Sequence, residues 1–387
     1  MAETGPIKVL IVDDSALMRN LIGKIIESDP ELEVIGKALN GAFALRKLET
    51  LSPDVIILDL EMPEMNGIEF LRHKKEIKKD MPVIILSSIA RKGAEVTMEA
   101  LSLGASDFLT KPSGSISEDI HLVAKQLVEL VKIYGTRYQG GEYVPRSGAE
   151  PFAAATQKPV EIARPVYEPP QSSLPTIKSS IPGQRPLPQG LRAHHGLQLL
   201  AMGISTGGPN ALRGLFQALP GDFPLPIVVV QHMPAGFTAE FAKSLDRVCA
   251  LDVKEAEDGD LIKRGRILIA PGDYHIFVEK KSLASILRVV QSAPVNGHRP
   301  SVGVLFDSVA EAYGSKTMAV IMTGMGRDGA VEIGKIYKAG GLTLGQDEAS
   351  SVVYGMPRVA LEMGHLEEVI SLKDMASKLQ EYSKQFN

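Results

Sequence analysis

Short, near-continuous apolar runs alternate with amphipathic stretches of about ten residues along most of this chain, and that alternation restricts its fold more than any other feature. In the N-terminal part, runs at 9–12, 34–38, 55–58, 83–86 and 108–109 are each followed by a helical pattern, at 16–26, 42–51, 68–77, 96–103 and 120–131. Strands apolar on both faces belong in a parallel sheet covered by helices on both sides, so five βα units predict a doubly wound domain over residues 6–131. Between 139 and 194 the periodicity is lost and ten of the chain's 25 prolines collect, which predicts a Pro-rich linker over residues 132–195. Alternation then resumes, with strands at 199–202, 227–230, 267–269, 318–322 and 342–344 and helices at 211–219, 237–248, 302–313 and 331–339. The expected fold class is therefore α/β, with two doubly wound, mainly parallel-sheet domains, the first flavodoxin-like and the second spanning residues 196–387.

Length and charge agree with this division. At 387 residues the chain exceeds one ordinary core. A net charge of −4 supplies no basic surface, and a DNA-binding output would need a basic helix-turn-helix in place of the second α/β pattern, so no nucleic-acid partner is expected. The single cysteine, Cys249, excludes an internal disulfide and a Cys-rich zinc site, and its position after a helix suggests a small buried residue. Met1-Ala2-Glu3 leads almost directly into a strand without the apolar core of a secretory signal, and no stretch approaches the roughly 18 apolar residues that span a bilayer. The expectation is a cytoplasmic protein without membrane insertion.

Ligands collect at the carboxyl ends of parallel strands, and the residues there are chemically selective. In the first domain they are Asp13-Asp14, Asp59, Ser87-Ser88 and Thr110-Lys111-Pro112. A carboxylate after one strand is an ordinary helix cap. Three at one sheet edge repel one another unless a hard cation such as Mg²⁺ binds, and Lys111 and Ser87 would complete a site for a phosphoryl group.

In the second domain, Gly203 and Gly207 bracket Ser205 in a G-x-S-x-G turn between strand and helix, with Gly208 beside it. Such a turn can expose a nucleophilic serine near helix N-terminal N–H groups, or it can bind phosphate; the five residues alone fit both. Two further strand ends supply partners, His232 in Gln231-His232-Met233-Pro234 and Asp328 in Thr323-Gly324-Met325-Gly326-Arg327-Asp328-Gly329. Serine, histidine and aspartate are the set needed for acyl transfer, although the chain order Ser, His, Asp differs from that of α/β-hydrolases. His298, and His275 with Asp273, are rival candidates for base or orienter.

The first segment resembles, along its whole length, the receiver domain of bacterial two-component response regulators. The resemblance implies Asp59 as phosphoacceptor, Asp13 and Asp14 with Asp59 as Mg²⁺ ligands, and Ser87, Lys111 and Phe108 as the hydroxyl, cation and aromatic that accompany the phosphoryl group. Asn66 stands where Asp is more usual. The motifs around Ser205, His232, His298-Arg299-Pro300-Ser301-Val302 and Asp328 look like the chemotaxis protein-glutamate methylesterase family, which joins a receiver to such a domain in this order. That resemblance implies a catalytic set of Ser205, His232 and Asp328, with Thr206, Gly207, Met325 and His298 around the oxyanion and cleft. It further implies hydrolysis of glutamate methyl esters and deamidation of glutamines on chemoreceptors, with a chemotaxis histidine kinase as phosphodonor, no cofactor for the ester chemistry, and a receiver acting as a lid. Gly303 departs from the family's usual Asp.

Overall fold

Val, Ile and Leu dominate the central strands because β-branched and aliphatic side chains fit a pleated surface buried on both sides. The computed structural model describes residues 5–88, 91–111, 118–141, 143 and 190–386, and the chain divides into two units, within residues 1–155 and 156–387. In the first unit the order is β1 (Ile7–Val12), α1 (Ala16–Glu27), β2 (Leu32–Ala38), α2 (Gly41–Thr50), β3 (Val55–Asp59), α3 (Gly67–Glu76), β4 (Val83–Ser87), α4 (Arg91–Ser102), β5 (Asp107–Thr110) and α5 (Glu118–Gln139). The five strands form one parallel sheet in the order β2-β1-β3-β4-β5, and β3 and β4 are buried throughout. Ser15, Asn40 and Asn66 cap α1, α2 and α3 with their side chains. Asn66 makes a capping box with Glu69, so the amide does the capping for which an aspartate is equally suited.

Two boundaries differ from the sequence reading. Helix α4 begins five residues before the expected 96, and α5 runs to Gln139, past the 133 to which its helical pattern extends and in line with a helix that continues beyond the receiver fold into the start of the expected linker. Tyr134 explains the second difference: its hydroxyl donates to Ser106 O at 3.0 Å and bonds Asp107 Oδ2 at 3.2 Å, fastening the helix to the sheet. Residues 144–189 of the expected linker lie outside the described residues.

The second unit runs β6 (Leu199–Ile204), α6 (Gly208–Gln217), β7 (Ile227–Gln231), α7 (Phe237–Asp246), β8 (Asp252–Glu255), β9 (Arg266–Ile269), β10 (His275–Lys280), β11 (Ser285–Val290), α8 (Val302–Ala312), β12 (Thr317–Ile321), α9 (Ile333–Lys338), β13 (Leu342–Gln346), α10 (Met356–Glu362), β14 (Glu368–Ile370) and α11 (Leu372–Gln385). Seven strands form a parallel sheet, β14-β13-β12-β6-β7-β9-β8, while β10 and β11 make a separate antiparallel hairpin. The apolar residues of α8, including Val302, Leu305, Phe306 and Val309, join one buried cluster with Leu199 and Ala201 of β6 and with Ile276 and Leu287 of the hairpin. Cys249 is half-buried rather than fully buried; burial nevertheless pushes its thiol up to about 12, so it remains protonated. Among the described residues no helix is long and apolar enough to cross a membrane.

Candidate active site

Strand β6 sits at the switch point of the second sheet, with β7 on one side and β12 on the other, and it is at the carboxyl ends beside such a point that parallel α/β sheets bind ligands. Ser205 directly follows β6, His232 directly follows β7, and Asp328 lies in the loop after β12. The glycines of the serine turn are required by backbone and packing. Gly207 has φ of 75° and starts α6 without a side-chain cap, and a Cβ on Gly203 would come within 2.1 Å of Val302 on α8.

The turn is held by side chains that carry no obvious chemical signature. Ser205 N donates to Thr323 O at 2.9 Å, and Thr323 Oγ1 donates to Thr206 O at 2.9 Å. Gln231 Nε2 reaches both Ser205 O and His232 O at 3.0 Å, so one buried amide ties the serine turn to the histidine strand end. Sequence reasoning assigned no role to Thr323 or Gln231, although both lie inside the motifs it singled out.

His232 Nε2 lies 2.8 Å from Asp328 Oδ2, with both side chains buried. Asp328 also accepts from Asn296 Nδ2 at 3.0 Å, Ser301 Oγ at 2.7 Å, Val302 N at 2.6 Å and Gly303 N at 3.3 Å, the last two at the N-terminus of α8. Burial alone would raise its carboxyl, but His232 and these donors hold it at about 2. An ionised aspartate at this distance orients the imidazole and fixes which ring nitrogen faces it. His232 Nδ1 is buried and has no hydrogen-bond partner among the described residues, which leaves one ring nitrogen uncommitted.

The other expected residues divide. His298 stacks on His232, ring centroids 3.8 Å apart, and burial together with His232 lowers it to about 4, so it is neutral near pH 7. Thr206 and Met325 are half-buried beside the serine and in the aspartate loop. His275 is committed to Ala293 O at 3.1 Å and Ser301 N at 3.2 Å, and Asp273 pairs with Arg299; neither bonds His232 or Ser205. Asn296 and Ser301 complete the aspartate's surroundings, and only Ser301 lay in a motif read from the sequence.

The first sheet has its own switch point between β1 and β3, and the acidic residues converge there. Ligand atoms of Asp13, Asp14 and Asp59 lie within 4.8 Å of one another. Lys111 Nζ bridges Asp59 Oδ2 at 2.6 Å and Asp13 Oδ2 at 3.0 Å. Burial pushes the Asp59 carboxyl up, Lys111 opposes this, and Asp13 adds repulsion; the net shift is upward. Ser87 ends β4, the strand between β3 and β5, with Lys111 N donating to its carbonyl at 2.7 Å, and Phe108 is half-buried on β5.

With this geometry in place, comparison with known proteins is specific. The family described as CheB methylesterase matches residues 200–379, and the response regulator receiver domain family matches residues 9–123. The protein-glutamate methylesterase/protein-glutamine glutaminase of Treponema denticola is 55% identical over 385 residues, covering 98% of this chain and 99% of its own. The protein of the same description from Treponema pallidum is 50% identical over 410 residues, covering 100% and 99%. Among solved structures, the Thermotoga maritima CheB methylesterase catalytic domain is 42% identical, with a TM-score of 0.47, and covers 48% of this chain and 98% of that one.

Proposed function

Because the chain belongs to the CheB methylesterase family, we propose that Ser205, His232 and Asp328 form the catalytic set through which it acts as a phosphorylation-activated protein-glutamate methylesterase and protein-glutamine glutaminase of chemotaxis. The observation that carries the residue assignment is the buried His232–Asp328 pair, which joins the carboxyl ends of β7 and β12 on either side of the strand that leads into the serine turn, with His232 Nδ1 uncommitted. In this reading Ser205 Oγ attacks the γ-carbonyl carbon of a glutamate methyl ester on a chemoreceptor while His232 Nδ1 takes its proton. N–H groups of the turn at Thr206 and Gly207 and of the α6 N-terminus stabilise the oxyanion. The C–O bond to methoxide breaks, His232 returns the proton, and methanol leaves. Water then attacks the acyl-enzyme, giving its proton to His232, and Ser205 is released with a glutamate carboxylate. With glutamine as substrate the same steps expel ammonia. Met325 and His298 line the cleft, His298 supporting the ring of the base.

In the receiver, Asp59 accepts a phosphoryl group from a chemotaxis histidine kinase. The donor set there fits Mg²⁺: three hard carboxylates close together, with one lysine against their charges. Asp13, Asp14 and Asp59 would hold the ion, which when bound offsets charge on the phosphoryl oxygens. Lys111 pairs with the phosphoryl group, Ser87 hydrogen-bonds it, and Phe108 responds to it. The protein works in the cytoplasm and needs no cofactor for the ester chemistry.

Methanol release from methylated receptor fragments, measured with and without a small phosphodonor, tests both assignments. Removing a triad nucleophile costs on the order of 10⁶ in turnover in the best-studied serine hydrolase, so Ser205→Ala should be silent; activity within tenfold of wild type would refute the nucleophile.

A further inference from the structure

The hydroxyl of Ser87 is occupied in this structure by a partner outside the acidic pocket. Ser87 is the last residue of β4, with 2% of its surface exposed, and Thr97 on α4 is fully buried. Their hydroxyl oxygens are 2.6 Å apart. Thr97 Oγ1 also lies 2.7 Å from Gly93 O, one helical turn back, whereas Ser87 Oγ is 3.3 Å from that carbonyl. A hydroxyl has one proton. Thr97 therefore donates its one proton within reach of both Ser87 Oγ and Gly93 O, while Ser87's own proton faces the carbonyls of Ser88 and Gly93, each 3.3 Å away, so the Ser87 hydroxyl is held on the α4 side.

We infer that Thr97 is a positioning residue that latches Ser87 against α4 and competes with the phosphoryl group on Asp59 for the Ser87 hydroxyl. The inference rests on the reading of Asp59 as phosphoacceptor and Ser87 as its hydroxyl partner. The latch is suited to reversal. When Ser87 turns away, Thr97 keeps its own bond to Gly93 O, so no buried donor is stranded and release costs one hydrogen bond rather than an orphaned group. Ser87 can turn without moving its strand, since its backbone stays fixed by pairing with β5 and by the bond from Lys111 N. The physical link to regulation is then direct: whatever stabilises the latched hydroxyl raises the amount of phosphodonor needed to populate the activated receiver.

A neutral hydrogen bond of this kind shifts an equilibrium by about two- to tenfold. In the full-length protein, Thr97→Val should therefore lower the concentration of acetyl phosphate giving half-maximal activation of methanol release by that factor, with half-maximal labelling moving in parallel. Thr97→Ala should act in the same direction, which keeps the test available if the valine variant does not fold. Thr97→Ser, which retains the hydroxyl, should stay at the wild-type value. The decisive control is the Ser87→Ala background, where no hydroxyl remains to be latched and Thr97→Val should produce no further shift. An equal shift in both backgrounds would show that Thr97 acts only through packing of α4, and no shift in either would equally overturn the latch. Failure of the underlying reading is visible separately: wild-type protein would take no label, or Asp59→Asn would keep it.

Discussion

Glu332 occupies the space left by the missing side chain of Gly303. A Cβ at 303 would lie 3.1 Å from Glu332 Oε2 and 3.3 Å from Asp328 Oδ1, so the residue that departs from the family pattern is one whose replacement would press on two carboxyls. Oε2 is buried and without a hydrogen-bond partner among the described residues. Burial first, then the charges of Asp307 and Asp328, push the Glu332 carboxyl up to about 7. The folded protein thus binds this proton more tightly than the unfolded chain does. Stability from this group is fully present below the ordinary glutamate value of about 4.3 and is lost as pH rises through about 7; the difference is on the order of 3 kcal/mol. Glu332→Gln should accordingly raise Tm several degrees more at pH 8 than at pH 4, and equal changes at the two pH values in thermal unfolding would refute the assignment. His298 gives a second expectation at this scale. Because it is neutral and stacked on His232, it supports the ring without competing for its proton. His298→Ala should cost at most about 10²-fold, the size of a misplaced group, whereas His232→Ala should approach the loss seen for a triad base. The reverse ranking in methanol release would move the base to His298.

Among the elements, the segment before β6 has a defined role that sequence composition did not reveal. Arg192 donates to Glu367 Oε1 at 2.6 Å and to the carbonyls of Tyr337 and Gly341 at 3.0 Å, while His194 Nε2 sits 2.8 Å from Glu367 Oε2. Glu367 is 1% exposed, so both partners compensate one buried carboxylate. Breaking a buried ion pair by removing one side costs about 3–5 kcal/mol. We therefore expect a fragment of residues 190–387 to unfold at distinctly higher temperature than one of residues 196–387, and identical melting curves would show that the segment is dispensable. Residues 190–195, expected in the linker, are proposed to be part of the catalytic domain. The same contrast explains what was legible in the chain. Central strands such as β3, β4, β6, β7 and β12 announced themselves because burial on both faces demands unbroken apolar runs. Strand β8, Asp252–Glu255, carries only one buried side chain, and β10 and β11 alternate over a half-exposed hairpin, so they offered no such run. Ser205, His232 and Asp328 could be read from strand ends, since topology brings such residues to one edge. Gln231, Asn296 and Thr323 could not, because an amide or hydroxyl that bonds backbone or a carboxylate has no sequence signature until the fold supplies its partner.

At the scale of the whole molecule, two sheets of different size repeat one arrangement: reactive side chains gather at the carboxyl edge where strand order reverses. Each unit has its own sheet and buried interior, so the catalytic unit should fold without the receiver, provided that the segment from Gly190 is kept. This makes the regulatory question separable from the chemistry. If the unphosphorylated receiver restrains the catalytic site, deleting it should activate the enzyme. A restrained state favoured by only about 1.4 kcal/mol leaves roughly a tenth of the molecules active and permits about tenfold activation on release. A phosphoryl group on Asp59 changes the receiver by about one and a half to two negative charges, if it resembles phosphorylated hydroxyl side chains, and places them beside Lys111. Release and positive contribution by the phosphorylated receiver predict different rates for the fragment of residues 190–387. If release is the whole effect, the fragment should equal or exceed phosphorylated full-length protein in methanol release from the same receptor substrate, and full-length Asp59→Asn should stay at the basal rate whether or not phosphodonor is present. A folded fragment no faster than unphosphorylated full-length protein would overturn restraint as the mechanism. A fragment of intermediate rate would apportion activation between the two, because the step from basal to fragment measures release and the step from fragment to phosphorylated enzyme measures what the receiver adds.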